Sequence, residues 1–220
     1  ALHVGNTFAR PLPPNSSNKY LTDFRTKWGE EIDSYFEVSS VGLPKGMINR
    51  KDEEPKSKDD WGNVVSEIIN NSPLFDIDIS ASSFVFGDCD IEVIVKALEN
   101  VDGEYNIVIA ITEDSIVDWQ KNGTYDDSVY VHNHVLRAII NNTWGENLKS
   151  SNNYTANEEI NLSYNISISS LEQFNINHST NELFMGNGNT GAWDTNKLNI
   201  VAYIYNVDNK EIIQVEELHL

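Results

Sequence analysis

Apolar residues recur along the chain at two different periods, and the change falls at Pro73. Before it, Leu21, Phe24, Trp28, Ile32 and Phe36 step by three or four residues, the spacing that lines one stripe of a helix. Ala1 to Val4 reads as a strand-like piece ahead of that helix. Gly42-Leu43-Pro44-Lys45-Gly46-Met47-Ile48-Asn49-Arg50 follows as a second extended piece. Ser57-Lys58-Asp59-Asp60 is a capping-box pattern, in which Ser57 and Asp60 can each satisfy a free backbone N–H. Trp61, Val64, Val65, Ile68 and Ile69 then repeat helically until Asn70-Asn71-Ser72-Pro73 stops them. The predicted order over residues 1–73 is therefore strand, helix, strand, helix.

Past Pro73 the period becomes two. Phe75, Ile77 and Ile79 alternate with Asp76, Asp78 and Ser80, and Ile160, Leu162, Tyr164, Ile166 and Ile168 alternate with Asn and Ser, giving one buried and one wet face. Ile91 to Leu98 and Tyr105 to Thr112 read as a hairpin across Val101-Asp102-Gly103-Glu104, where Asp-Gly supplies the positive φ of a tight turn. A second hairpin is predicted from Leu198 to Tyr205 and Glu211 to Leu218, turning at Asn206 to Asn209. At least six strands between Asn-, Gly- and Asp-rich turns point to an antiparallel β-sandwich over residues 74–220. The expected class is α+β in two parts, 1–73 and 74–220.

Charge narrows the partners. The 220 residues carry 34 acidic groups against 15 Lys and Arg, a formal net charge of −19. Phosphate recognition depends on clustered Lys and Arg, so nucleic acid is excluded as a partner. No apolar run reaches the length of a membrane-spanning helix. The single cysteine, Cys89, rules out an internal disulfide or C-x-x-C pair within these residues, and its neighbours Asp88 and Asp90 would raise a thiol pKa.

Several motifs invite a chemical reading. Gly186-Asn187-Gly188-Asn189-Thr190-Gly191 matches G-x-G-x-x-G, but a strand-like run follows it where a dinucleotide site requires a helix, so a flexible inter-strand loop is the better account. Tyr130 to Arg137, if extended, places His132 and His134 on one face about 6.5 Å apart, a spacing two imidazoles can use on one metal ion. No H-E-x-x-H or Cys cluster supplies further ligands, so the expectation is no metal and no cofactor. The alternative is that these imidazoles bond to backbone or carboxylates and that Arg137 meets an acidic partner. Paired carboxylates, Glu30/Glu31 among them, read as solvated surface, and no catalytic residue is assigned. Eight N-x-S/T sites, the first at Asn15, read as surface polarity. Trp28, Trp61 and Trp119 are expected in the core, whereas Trp144, Tyr154 and Trp193 lie in polar connections and are contact candidates.

With Tyr130-Val131-His132-Asn133-His134-Val135-Leu136-Arg137, Asn142-Thr143-Trp144-Gly145-Glu146 and Gly42 to Arg50, the chain resembles the outer membrane protein 28-related family of Gram-negative bacteria. The resemblance implies a thioredoxin-like domain followed by an immunoglobulin-like sandwich, exported to the outer membrane or cell surface. It also implies that Pro44 follows a cis bond. Family members begin earlier, with a strand and helix carrying a C-x-x-C-type sequence. Residues 1–73 are therefore expected to be the closing portion of a thioredoxin-like domain, within a longer polypeptide.

The functional expectation is a non-enzymatic recognition, adhesion or scaffold module for a protein or glycan at the cell surface. Tyr130, His132, His134, Arg137 and Trp144 are its candidate binding residues, and membrane association would be peripheral or through a lipid anchor preceding Ala1. The alternative is a periplasmic thiol–disulfide oxidoreductase whose cysteines lie upstream.

Overall fold

A computed structural model describes residues 1–7, 9–13 and 17–220; the side chain of Asn122 and the predicted Asn15 site lie outside that description. The described residues form three α-helices and twelve strands, an α+β architecture that is mostly sheet. Helix α1 (Lys27–Phe36) starts where the Thr26 hydroxyl accepts the Gly29 N–H at 3.1 Å and ends at Glu37 in the left-handed region. Its Trp28, Ile32 and Phe36 are buried as their spacing predicts. Leu21 and Phe24, read as part of that stripe, instead precede the helix in an extended segment that donates from Asp23 N to the Asn189 carbonyl.

Helix α2 (Trp61–Ile68) also forms where predicted. The expected capping box does not: Ser57 makes no side-chain cap and its hydroxyl instead accepts from Lys45 Nζ. The two predicted strands of residues 1–73 are absent from the described residues. Ala1 to Val4 is not a strand: its Ala1 carbonyl accepts from Leu136 N and its ammonium donates to the His134 carbonyl. Val41 to Arg50 is turns plus a single antiparallel bridge, Gly46 to Lys56. Each touches an edge of the larger sheet, Ala1 at Leu136 and Asn49 at Ile212, without extending into a ladder among the described residues.

Strands β1 (Phe75–Ala81), β2 (Asp88–Ala97), β3 (Val101–Asp102), β4 (Tyr105–Glu113), β5 (Ile116–Asn122), β6 (Tyr125–His132), β7 (Val135–Ile139), β8 (Glu146–Asn147), β9 (Asn153–Tyr154) and β10 (Glu159–Ser167) follow. Helix α3 (Ile168–Asn181), β11 (Leu198–Asn206) and β12 (Ile212–His219) complete the chain. One antiparallel sheet runs β1-β2-β10; the other runs β12-β11-β4-β7, with β8 also on β4. The final hairpin, β11 to β12, stands as expected. The first does not: β2 is flanked on both sides by β1 and β10, and β4 by β11 and β7, so residues 98–104 cross between sheets. There β3 pairs with β9 and Gly103 takes a φ of 133°.

The inner faces share one core. Ile107, Ile109 and Ile111 of β4 align with Ile204, Ala202 and Ile200 of β11, all fully buried or nearly so, in one cluster with Ile77, Ile91 and Val93 of the other sheet. The opposite face of the five-stranded sheet, carrying Ala110, Tyr203 and Tyr205, is covered by Leu2, Val4 and residues 32–50, and Trp28, Ile32 and Phe36 join the same apolar cluster. Ile168, predicted as the last residue of a strand, opens α3 instead.

Candidate recognition surface

Strands β5 and β6 form a ribbon of their own, hydrogen-bonded to neither main sheet. Val117 pairs with Val131, and Val117, Val129 and Val131 are 61%, 71% and 46% exposed. The opposite face is anchored. His132 is buried, 4.8 Å edge-on from the Tyr130 ring and 5.5 Å from both Phe24 and His3. At the far end, Asp126 accepts from the Tyr20 hydroxyl at 2.6 Å and from Lys19 Nζ at 3.0 Å, and Lys19 sits 4.8 Å over the Trp119 ring. Those hydrogen bonds hold the Asp126 carboxyl down at about 2.

His3 and His132 are short of partners. His3 Nδ1 and His132 Nε2 are buried without a hydrogen bond among the described residues. Burial, followed by the neighbouring His132, pushes His3 down to about 3, and burial lowers His132 as well. Both rings are accordingly neutral core groups near pH 7.

Arg137 lies beneath the ribbon. Its Nε donates to Glu113 Oε2 at 2.7 Å with both side chains 3% exposed, and its Nη1 donates to the Thr190 carbonyl at 2.7 Å. Burial lowers the Arg137 pKa and the Glu113 carboxylate opposes that shift. The guanidinium also stands 5.6 Å over both Phe24 and Trp193. Glu113 Oε1 takes the Asp194 N–H. The group is a closed structural tie rather than a presented charge.

A second aromatic cluster surrounds Arg50. Its guanidinium is 5.1 to 5.9 Å from the rings of Tyr203, Phe36, Tyr205 and Trp144, and Nη2 donates to the Tyr203 hydroxyl at 2.9 Å. The Trp144 carbonyl accepts from the Tyr205 hydroxyl at 2.7 Å and Asn106 Nδ2 at 2.9 Å.

A profile of the outer membrane protein Omp28 family matches residues 30–181. The chain belongs to this family. A crystal structure of a domain of the outer membrane lipoprotein Omp28 from Porphyromonas gingivalis is similar at 18% identity, covering 68% of this chain and 90% of that one, with a TM-score of 0.40. HBP35 of Porphyromonas gingivalis is similar in fold, with a TM-score of 0.60 at 9% identity, covering 87% of this chain and 58% of that one. No curated protein matches in sequence. Family membership makes this Omp28-family chain outer-membrane-associated. No helix among its described residues is long and apolar enough to cross a membrane.

The five residues singled out in the Omp28-family sequence do not form one surface. Tyr130 and His132 share the ribbon. His134 does not face with His132, because it takes a left-handed φ of 51° between β6 and β7 and turns outward to Asp114 and Glu217, 3.5 and 3.3 Å away. Arg137 is internal, and Trp144 belongs to the Arg50 cluster. Tyr154 and Trp193, read as exposed contacts, are buried, whereas Trp61, read as core, is 37% exposed. The Leu43–Pro44 bond is cis, in an exposed turn. The glycine-rich segment joins α3 to β11 and is held by Asn187 and Asn189 side chains donating to the Leu21 carbonyl. Sequence reasoning missed the valine face of the ribbon, although Val129 and Val131 at a two-residue spacing beside Asp126-Asp127 carried its signal.

Proposed function

We propose that the chain is a non-enzymatic recognition module at the outer membrane and that the β5–β6 ribbon is its contact element, taking a protein or glycan partner. The observation that carries this reading is the exposed Val117, Val129 and Val131 face on a ribbon whose other face is anchored by His132 and Asp126. Val117, Val129 and Val131 form a water-facing β-branched row, and Tyr130, which alternates with them and is 39% exposed, adds an amphipathic ring suited to either partner class. The non-enzymatic part is supported by two buried ion pairs, Asp23–Arg25 and Glu113–Arg137, whose charges are spent on each other inside the chain. The division at residue 73, into a helical front part and an immunoglobulin-like body, is supported by the change of period at Pro73 and by the strands of the described residues all lying after it.

The test compares the parent with a Val117→Ser, Val129→Ser, Val131→Ser variant on a panel of purified surface proteins and immobilised glycans. Specific binding by the parent and at least a tenfold loss in the variant, at unchanged melting temperature, supports the assignment. Undiminished binding by the folded variant sinks it.

A further inference from the structure

Between residues 1–50 and the outer face of the five-stranded sheet lies a cavity of about 360 Å³, within the ~300–1,000 Å³ range of small-molecule sites. Its wall is mainly aliphatic: Val4, Ile32, Met47, Leu136, Ile139 and Ile212 contribute. Three charged residues interrupt it, namely Asp33, Lys45 and Arg50. Asp33 is already engaged, since its two oxygens accept the Ser39 N–H at 2.7 Å and the Ser39 hydroxyl at 2.6 Å. The two cations have no carboxylate partner among the described residues. Lys45 Nζ donates to the neutral Ser57 hydroxyl at 2.9 Å, and Arg50, 6% exposed, donates to the neutral Tyr203 hydroxyl while its Nη1 has no hydrogen bond.

In a chain of net charge −19, an aliphatic cavity lined by two cations against one carboxylate, Asp33, whose oxygens are already taken by Ser39, is an inversion of the surface pattern. A buried guanidinium without a counter-anion is costly, and an incoming anion relieves that cost through charge-assisted bonding. Aliphatic walls select what is attached to the anion. We propose that this cavity binds a single-chain amphiphile with an anionic head, its tail along Ile32, Leu136 and Ile139 and its head toward Lys45 and Arg50. Lys45 and Leu43 are partly exposed and mark the mouth.

Calorimetric titration of the whole chain with dodecanoate, monododecyl phosphate and dodecylamine, each below its micellar concentration, tests this. One saturable site is expected for both anions, with dodecylamine at least about tenfold weaker. Affinity should rise about three- to fourfold per added methylene from octanoate upward until the cavity is full. Tighter dodecanoate binding assigns a free fatty acid as the source, and tighter phosphate-ester binding assigns a phospholipid-type head. Arg50→Met should abolish the preference for anions. Because that change also unseats the aromatic box, Lys45→Gln, expected to weaken both anions several-fold, and Met47→Trp, expected to block the cavity, are measured beside it. Absence of saturable binding, equal affinity for dodecylamine, or parental affinity in Met47→Trp overturns the proposal.

Discussion

Asp23 and Arg25, two positions apart in the extended segment before α1, form an ion pair at 2.8 Å with neither side chain exposed at all. Arg25 Nη2 closes the second arm to Asp23 Oδ2 at 2.9 Å, and the Ser179 hydroxyl of α3 donates to the same oxygen at 2.8 Å. The remaining guanidinium hydrogens reach Asn6 and the Phe184 carbonyl. The pair therefore fastens the front segment to the back of the chain. Removing one partner leaves an uncompensated buried charge, so Asp23→Ala should cost about 3–5 kcal/mol in urea unfolding. Glu67→Ala, at the exposed pair with Lys51, should leave the transition where it is.

Such a network also marks the limit of what the sequence discloses. Alternation exposed β1 and β10, whose apolar and polar positions alternate, while β11 and β12 were legible as two β-rich runs flanking the turn at Asn206 to Asn209. Helix α3 escaped because the positions it buries include Asn175, His178 and Ser179, so its inward face carries no apolar stripe. Asn175 Nδ2 donates to the Arg137 carbonyl and the Ser179 hydroxyl to Asp23, partners that only the tertiary fold supplies. The β2–β4 hairpin was misread for the complementary reason: two buried strands joined by Asp-Gly look alike whether they pair with each other or enter different sheets. At the recognition surface, the histidine spacing assumed one continuous strand, and a single left-handed residue, His134, undid it.

Gly186 shows what the glycine-rich segment is for. A Cβ there would collide with the Ser179 carbonyl and its carbon at the end of α3, both backbone atoms that cannot swing aside. Gly186→Ala should destabilise the protein by more than about 1 kcal/mol. Gly62 in α2 faces open space, so Gly62→Ala should stabilise by about 0.5–1 kcal/mol. Thermal unfolding of the two variants should thus move in opposite directions.

Cys89 is 1% exposed, and its thiol donates to the Ser82 carbonyl at 3.1 Å. Burial raises its pKa, with Asp90 adding to the shift. Ellman's reagent should find no reactive thiol in the native protein and one per chain in denaturant. Rapid native labelling would contradict this placement.

The buried imidazoles make stability depend on pH in a defined direction. His3 is held at about 3 in the folded chain against 6.5 when unfolded, so the unfolded state takes up the proton first. Its contribution to stability is therefore complete above about pH 6.5 and is lost progressively as pH falls toward 3. His132, lowered by burial in the same cluster, acts in the same sense. Carboxylates with lowered values, such as Asp126 at about 2 and Glu158, add to the loss as pH approaches the 3.8 and 4.5 of their unfolded forms, and Glu30, raised by burial, opposes it. The window between about pH 6.5 and 5 lies above those unfolded carboxylate values, and comparison with a His3 variant there reads the histidine. Replacing His3 by Phe keeps a ring against Phe24, 5.1 Å away, and removes the titration. Urea midpoints across that window should slope downward on acidification in the parent and more shallowly in His3→Phe; identical slopes would mean that His3 is not the buried neutral base described.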